Sequence, residues 1–557
     1  MNFINYIYKL KLIIKNTKVI ILTIILVSFV LRFANITSSP PALYGDELTM
    51  VYDAYSILHT GYDQTGQFLP LTFSMGAGRP AGYVYFSIPF VALFGPTAIG
   101  VRMLSVLSGV GITFLMYLLG RKLFSEKLGI IAAALLAISM WDISLSRGGF
   151  EAHFALFLML LGTYLYLLFS QRPLLLIISA FSFGLAVHTY PTYKLILPVF
   201  LLLLLWYQPI YKYLSTLRSK IAIFISVAIL LSAAYLTIQQ ALISSSETRF
   251  LSINIFAQED LKKLIIEKIN IERNSSSLPL LFRPVLHNQP LEYIFVLGEY
   301  YLKNFSLDFL FFHGDKNPRH NMSTMGELYI VEIFLVILGL RYFSQISRKL
   351  TVVLLLWLLI SPIPASLLLD LHALRNAFML PSLILFSAAG ILYLLNAPKT
   401  KLFFYFKILI LVGFIFQFIV FWERLFFIAP QLFSNFWSYS AKKAVEFAVS
   451  NRNNYKYIII SPKIDNVEYA FPVYTRIDPK QVINQNIHPD SLNGLYFKKI
   501  DNIYIGSITG ENIGDFINDL GNSVLYLENW EERDKLDFYK VVYDINGLPA
   551  FVFTEKK

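Results

Sequence analysis

The sequence predicts a polytopic α-helical membrane protein of about eleven transmembrane helices that ends in an extracytoplasmic α/β domain. The first observation is composition: 56% of the 557 residues are hydrophobic, 16% are aromatic, and the mean hydropathy is +0.57. Soluble chains of this length are far more polar. The second observation is a series of long apolar runs. The third is a tail in which charged residues separate short strand-like runs.

The apolar runs are long enough to cross, as helices, a hydrocarbon core about 30 Å thick. They cover residues 18–34, 97–120, 128–141, 152–170, 173–188, 191–207, 221–240, 327–341, 350–368, 376–395 and 403–422. We read the first run as a retained span, because no small-residue cleavage site follows it.

Basic residues in short loops predict the orientation of these helices. They fall on one side of the membrane at Lys9, Lys11, Lys15, Lys18, Arg121, Lys122, Lys127, Lys212, Arg218, Lys220, Arg341, Arg348, Lys349, Lys399 and Lys401. Positively charged short loops remain in the cytoplasm, so we expect a cytoplasmic N-terminus and an extracytoplasmic C-terminus. The expected location is the inner or plasma membrane of a bacterial cell.

The same topology predicts two domains. A transmembrane domain covers residues 1–425 and carries large external loops at 35–96 and 241–326. An extracytoplasmic soluble α/β domain covers 430–557, where strand-like runs such as Tyr457 to Ser461 and Ser523 to Leu527 accompany a helix-like run from Asn435 to Ser450.

Charge and cysteine content exclude several classes of function. The net charge of +11 comes from loop residues between apolar runs, which argues for membrane topology and against nucleic-acid binding. The absence of cysteine excludes disulfides, thiolate catalysis and Cys-ligated metal centres.

Residues capable of chemistry collect in the loops predicted to face outside. The first loop contains "LYGDELTM", and turns after later spans contain "WDISLSRGGFEAH", "HTYPTYK", "HGDKNPRHN" and "DLHALRN". The candidate site residues are Asp46, Glu47, Arg79, Arg147, Glu151, Tyr190, Lys194, Asp315, Arg319, His320, His372 and Arg375. A charge at membrane depth costs roughly 2.5 to 3.5 kcal/mol, so this gathering needs mutual ion pairs or an anionic ligand.

Simpler roles are open for several of these residues. Arg147 and Lys194 can extend to the membrane interface, and Asp315 can shape a turn. Residues 46–59 place apolar side chains at helical spacing, which predicts a helix along the membrane surface. Asp46 is then expected to cap this helix, which would keep its carboxylate ionised and remain compatible with a role as a base.

Taken in order, these motifs resemble those of the C-type membrane glycosyltransferases (GT-C), in particular the protein O-mannosyltransferase and aminoarabinose transferase group. The resemblance covers residues 1 to 425 and, more loosely, the tail. It implies transfer of one sugar from a polyprenyl-phosphate donor to a lipid, glycan or protein acceptor at the outer face. The second large loop lacks a recognisable β-trefoil insert, which departs from the eukaryotic protein mannosyltransferases.

The resemblance also implies roles for individual residues. Asp46 matches the general base and Glu47 its acidic neighbour, while the other candidates surround the carrier phosphate or substrate. Arg319 and Arg375 are the first choices for the phosphate, because a guanidinium binds phosphate oxygens at two points. One base and a single displacement predict inversion at the anomeric carbon.

Two questions stay open at the level of sequence. The spacing of histidines and carboxylates predicts no metal site, although a divalent cation is compatible with the residues present. A transporter or flippase for a lipid-linked sugar, or a non-catalytic membrane scaffold, is the alternative function. Transporters usually show repeated halves and broken helices at the membrane midplane, and the sequence has neither pattern.

Overall fold

The computed structural model describes residues 16–73, 78–213, 215–243, 254–398, 400–508 and 512–557. Four of the basic residues used to predict orientation lie outside these ranges: Lys9, Lys11, Lys15 and Lys399.

The chain is mainly helical as far as residue 432. The first elements are α1 (Thr17–Phe33), α2 (Gly45–Thr60), β1 (Thr72–Phe73), β2 (Arg79–Pro80), α3 (Gly82–Phe94), α4 (Ala98–Leu123), α5 (Glu126–Ala137), α6 (Met140–Ser146), α7 (Glu151–Leu168), α8 (Leu175–Val187), α9 (Thr192–Tyr207) and α10 (Leu217–Ile243). They are followed by α11 (Glu259–Ser275), α12 (Arg283–Leu286), α13 (Gln289–Lys303), α14 (Glu332–Ile346), α15 (Arg348–Ile360), α16 (Ile363–Leu367), α17 (Ala373–Asn376), α18 (Leu380–Asn396), α19 (Lys401–Glu423) and α20 (Ala429–Leu432). Each of the eleven predicted apolar runs overlaps at least one of these helices.

Several helices are suited to crossing a membrane. Six in the described part of the chain are long and apolar enough: Ala98–Leu123, Glu151–Leu168, Leu217–Gln240, Arg348–Leu367, Ala373–Asn396 and Lys401–Leu432. A seventh arises if α5 and α6, which meet at 58°, form one bent span. The protein is therefore a multi-pass membrane protein. The predicted total of about eleven also counts shorter apolar helices such as α3, α8 and α9, and the side that each loop faces stays a prediction.

Close helix packing in the core depends on glycine. A Cβ atom on Gly339 would lie 1.8 Å from the carbonyl oxygen of Phe386, and one on Gly390 would lie 2.1 Å from that of Leu335. Helices α14 and α18 therefore meet backbone to backbone, as small residues allow in membrane helix pairs.

Helix α2 confirms the helix predicted over residues 46–59, whereas its position along the membrane surface stays a prediction. Its Leu48, Met50, Val51 and Tyr52 are all buried, and so are most residues on its other faces. The N-cap position belongs to Tyr44, and no side chain caps the helix. The predicted capping role of Asp46 is therefore wrong: Asp46 lies inside the first turn.

The tail forms a seven-stranded mixed sheet with helices. Its elements are α21 (Tyr439–Ser450), β3 (Tyr457–Ile460), α22 (Val467–Thr475), α23 (Pro479–Ile487), β4 (Asp490–Leu492), β5 (Leu495–Ile500), β6 (Ile503–Ile505), α24 (Ile513–Asp519), β7 (Val524–Glu528), β8 (Lys540–Tyr543) and β9 (Pro549–Lys556). The strand order is β4-β5-β6-β3-β7-β9-β8, with β3 parallel to both β6 and β7 and the other pairs antiparallel. The predicted α/β tail is confirmed, because β3 and β7 coincide with the two predicted strands.

The tail packs onto the first large loop. Tyr52 Oη donates to the carbonyl of Ile477 (3.0 Å), and Asn486 Nδ2 donates to the carbonyl of Gln64 (2.8 Å). One continuous hydrophobic core includes residues of both regions. Helix α2 is therefore buried between the tail on one side and helices α3 and α4 of the membrane domain on the other. The domain boundary near residues 425–430 stays a prediction.

Candidate active site

Three predicted site residues form a chain of ion pairs at the starts of α2 and α7. Arg79 Nη2 donates to Asp46 Oδ1 (2.5 Å), and Arg79 Nε donates to Glu151 Oε1 (2.7 Å). Arg79 Nη1 also donates to Thr49 Oγ1 (2.9 Å). The exposed fraction of the side chain is 6% for Arg79, 14% for Glu151 and 53% for Asp46. Arg79 is therefore a fixed, buried cation, whereas Asp46 keeps half of its side chain accessible.

Local backbone structure positions Arg79 in this chain. The residue lies on β2, where it pairs with Phe73 of β1. Gly82, at the start of α3, donates its N–H to the carbonyl of His188 (3.1 Å), and a Cβ there would lie 2.2 Å from Thr189 Oγ1. The first loop thus packs directly on the turn after α8.

That turn also carries Tyr190, which lies near Arg375 and Glu151. Burial raises the pKa of Tyr190, while the positive charge of the nearby Arg375 opposes the rise. The negative charge of Glu151 acts on the same phenol. Arg375 Nη1 in turn donates to Asp370 Oδ2 (2.6 Å). Loops that are distant in sequence therefore bring Glu151, Tyr190 and Arg375 close enough to interact electrostatically.

A second group joins the segment "HGDKNPRHN" to "DLHALRN". Asp315 Oδ2 accepts from His320 Nδ1 (2.8 Å) and from the N–H of Ala373 (2.8 Å), while Asp315 Oδ1 accepts from the N–H of Asn317 (2.8 Å). The rings of His320 and His372 stack with centroids 4.2 Å apart. One donor atom from each of Asp315, His320 and His372 lies within 4.8 Å of the others, an arrangement compatible with a divalent cation.

Aromatic contacts connect the two groups. Phe150, which precedes Glu151 in the chain, contacts the rings of His320 (5.8 Å) and Tyr44 (5.9 Å). The guanidinium of Arg319 lies 5.3 Å from the centre of the Tyr44 ring, and its Nε donates to the carbonyl of Phe436 (2.6 Å). Nine of the twelve candidate residues therefore take part in or border this assembly, whereas Glu47 and Arg147 face the protein interior.

Glu47 faces the interior although it adjoins Asp46. Its carboxylate accepts from Arg102 Nε (2.7 Å) and Nη2 (2.8 Å), and from the N–H of Gly149 (2.8 Å). Neither side chain of the Glu47–Arg102 pair is exposed. The expectation of a direct catalytic role for Glu47 does not fit this environment. Its contacts indicate that it ties α2 to α4 and so orients the exposed Asp46.

Arg147 is likewise enclosed. Its guanidinium donates to the carbonyls of Ser39 (2.5 and 3.1 Å), Asn35 (3.1 Å) and Arg32 (3.2 Å) and packs over the Phe426 ring. The side chain is not exposed. In this structure the donors of Arg147 stabilise the turn after α1, and its predicted contact with the carrier phosphate stays a prediction.

Lys194 lies in the first turn of α9, beside His188. The ring of His188 contacts the carbonyl oxygen of Ala233 through Nε2 (3.2 Å). The role of Lys194 in substrate binding stays a prediction.

Sequence reasoning missed two buried arginines that organise the site. Arg32 pairs with Asp142 (2.6 Å), which also contacts His153 Nε2 (3.0 Å), and Arg102 pairs with Glu47. Both arginines lie in apolar helices. A charge inside such a run requires a partner, and this signal could have identified them.

The arrangement of these helices defines a class: the chain has the fold of the C-type membrane glycosyltransferases. Residues 79–237 match the model of the family described as dolichyl-phosphate-mannose-protein mannosyltransferase. This confirms the resemblance found from the motifs. A search of curated proteins finds no match.

Solved structures with the same fold include proteins from two organisms, Archaeoglobus fulgidus and Cupriavidus metallidurans. The oligosaccharyltransferase of Archaeoglobus fulgidus tethered with an acceptor peptide is 12% identical and has a TM-score of 0.51. The match covers 96% of this chain and 74% of the oligosaccharyltransferase chain. The apo form of the same enzyme is 14% identical and has a TM-score of 0.50. The match covers 82% of this chain and 64% of the oligosaccharyltransferase, which is less than two thirds of that protein's length. ArnT from Cupriavidus metallidurans in the apo state is 10% identical and has a TM-score of 0.50. The match covers 96% of this chain and 97% of the ArnT chain. At these identities the matches establish the fold.

Proposed function

We propose that the protein is a glycosyltransferase that moves one sugar from a polyprenyl-phosphate donor to an acceptor hydroxyl, with Asp46 as the general base. The observation that carries the proposal is the half-exposed Asp46 carboxylate held by the buried Arg79. The family whose model matches residues 79–237 is named for a dolichyl-phosphate-mannose donor. A long-chain lipid donor also accounts for an active site built on membrane helices.

The reaction follows from the chemistry of the carboxylate. Asp46 accepts the proton of the acceptor hydroxyl while that oxygen attacks the anomeric carbon. The bond between this carbon and the phosphate oxygen breaks, and polyprenyl phosphate leaves with the electron pair. Because the nucleophile enters opposite the leaving group, the product is inverted. Arg79, fixed by Glu151 and Thr49, keeps the carboxylate in place.

The leaving phosphate gains charge as the glycosidic bond breaks, and Arg319 and Arg375 are the groups proposed to stabilise it. A guanidinium has five N–H donors. Arg319 uses Nε for the carbonyl of Phe436, and Arg375 uses Nη1 for Asp370, so each has further donors for phosphate oxygens. A well-placed donor of this kind contributes on the order of 3 to 4 kcal/mol to the transition state.

The location and acceptor belong to the same proposal. The pattern of basic loops supports a bacterial inner membrane with the site on the outer side. The acceptor is a lipid, glycan or protein hydroxyl. A divalent cation enters this proposal only at Asp315, His320 and His372, apart from the proton transfer.

Transfer of radiolabelled mannose from a polyprenyl-phosphate donor, with membranes of the host cell as acceptor, tests the proposal. The Asp46→Asn variant should lower the rate at least about 100-fold, because loss of a general base typically costs 10²- to 10⁴-fold. Glu299→Gln is the matched control, because Glu299 lies away from the site. Its side chain is 61% exposed, and its carboxylate is 2.6 Å from Lys303 Nζ. Near-normal transfer by Asp46→Asn refutes the assignment of the base.

Mass spectrometry of lipids and surface proteins, with and without the intact chain, identifies the sugar and acceptor. An absence of any mass difference, together with no transfer from mannose, aminoarabinose or other polyprenyl-phosphate sugars, would exclude the proposed activity.

A further inference from the structure

We infer that Asp315, His320 and His372 form a binding site for a divalent transition-metal cation, with zinc as the best-matched ion. Two imidazole nitrogens and one carboxylate oxygen suit zinc and its neighbours in the first transition row, whereas magnesium and calcium prefer oxygen ligands. Binding at this site is independent of the proposed transfer reaction.

The distances between the donor atoms fit such an ion. Asp315 Oδ2 lies 2.8 Å from His320 Nδ1 and 4.0 Å from His372 Nδ1. Bonds of about 2.0 to 2.1 Å in tetrahedral geometry separate two ligand atoms by roughly 3.4 Å. The two Asp315 distances lie on either side of this value, and all three ligand atoms lie within 4.8 Å of one another.

Hydrogen bonding within the protein leaves one member of the group unsatisfied. His372 Nδ1 is buried and has no hydrogen-bond partner among the described residues. A buried polar atom without a partner costs about 1 to 3 kcal/mol. Its neighbouring acceptor, Asp315 Oδ2, already accepts from His320 and from the N–H of Ala373. A cation would bind the lone pair of His372 and share the carboxylate, and it would replace the proton on His320 Nδ1, which would move to Nε2 of the same ring through solvent.

Backbone hydrogen bonds hold the Asp315 carboxylate in an orientation suited to binding a metal ion. The N–H groups of Asn317 and Ala373 both donate to Asp315, which fixes the orientation of its oxygens in the manner of outer-shell groups at metal sites. The side chains of Asp315 and His320 are 4% and 9% exposed, and His372 is 16% exposed. The site is therefore enclosed but has an approach beside His372. Three protein ligands would leave a fourth position for water or another oxygen ligand.

A cation bound at this site would link two segments of the chain. It would join the segment that carries Arg319 to the turn that carries Arg375, because His320 adjoins the first arginine and His372 lies three residues before the second. This consequence rests on the proposed function, in which both arginines bind the carrier phosphate.

Metal content of the full-length protein tests the inference directly. The protein is purified in detergent with a tag free of histidine, treated with a chelator, incubated with Zn²⁺ or Co²⁺, and analysed by elemental mass spectrometry. We expect about one ion per chain and, with Co²⁺, visible absorption bands typical of low-coordinate nitrogen and oxygen ligation. Wild-type protein that retains no ion above the buffer level overturns the inference without recourse to any variant.

Substitutions locate the ion. His372→Ala and Asp315→Asn should lose it, whereas His313→Ala should keep it, because His313 lies in the same segment but is 74% exposed and paired with Asp308. Retention of the ion by both ligand variants would place it elsewhere and refute the site. Asp46→Asn should bind the ion normally while losing transfer, so failure of the metal site and failure of the proposed reaction are distinguishable.

Discussion

The buried pair of Glu47 and Arg102 leads to a quantitative prediction. Two hydrogen bonds join the side chains, neither of which is exposed, and Gly149 donates a third bond to the carboxylate. Truncation of Glu47 to alanine would leave the guanidinium in a dry interior without its anion. Removal of one partner from a buried pair costs roughly 3 to 5 kcal/mol. We therefore expect Glu47→Ala to lose about this much stability.

Thermal unfolding in detergent, followed by intrinsic fluorescence, measures the loss. The double variant Glu47→Leu with Arg102→Met removes both charges and should recover much of the stability, because apolar groups of similar size can replace a buried pair. Recovery should be incomplete, since Arg102 also donates to three backbone carbonyls before α2. Unchanged unfolding of Glu47→Ala combined with lost transfer would refute the structural role and support a direct role in catalysis.

Two further predictions concern stability. Burial raises the pKa of Asp53 to about 7, although hydrogen bonds from Gln64 oppose the rise. The folded protein therefore holds this proton more tightly than the unfolded chain, so the contribution of Asp53 to stability falls as pH rises from about 4 to 7. The loss of stability by pH 8 has an upper limit on the order of 4 kcal/mol. Asp53→Asn should remove this pH dependence, which unfolding measurements across that range would show. Gly339→Ala should prevent normal folding or lower the unfolding temperature strongly, because the new Cβ would lie 1.8 Å from a carbonyl oxygen. A Cβ on Gly298 would meet no atom within 4 Å, so Gly298→Ala should be neutral or stabilising by about 1 kcal/mol. Equal unfolding temperatures of the two glycine variants would contradict the role assigned to Gly339 in helix packing.

The hydrophobic pattern of the sequence was sufficient to locate the helices and the tail. Long apolar runs form helices in lipid because every backbone N–H and C=O must be satisfied within the segment. The same local rule identified β3 and β7, where short runs rich in isoleucine, tyrosine and leucine lie between turns. The loops that carry polar motifs also followed from the sequence, since they are what remains between the runs.

Only the tertiary structure decided which of these polar residues are accessible. Asp46 and Glu47 are neighbours in α2 and point in different directions, since successive residues of a helix are about 100° apart. Which of them faces inward depends on Arg102, which lies in another helix 55 positions away. Burial of α2 depends on contacts with residues more than 400 positions later, such as Ile477. Asp315, His320 and His372 likewise meet only because two loops fold together. Local sequence determines helical and strand periodicity, but ion pairs and metal ligands are matched through space, and that matching arises only when the whole chain packs.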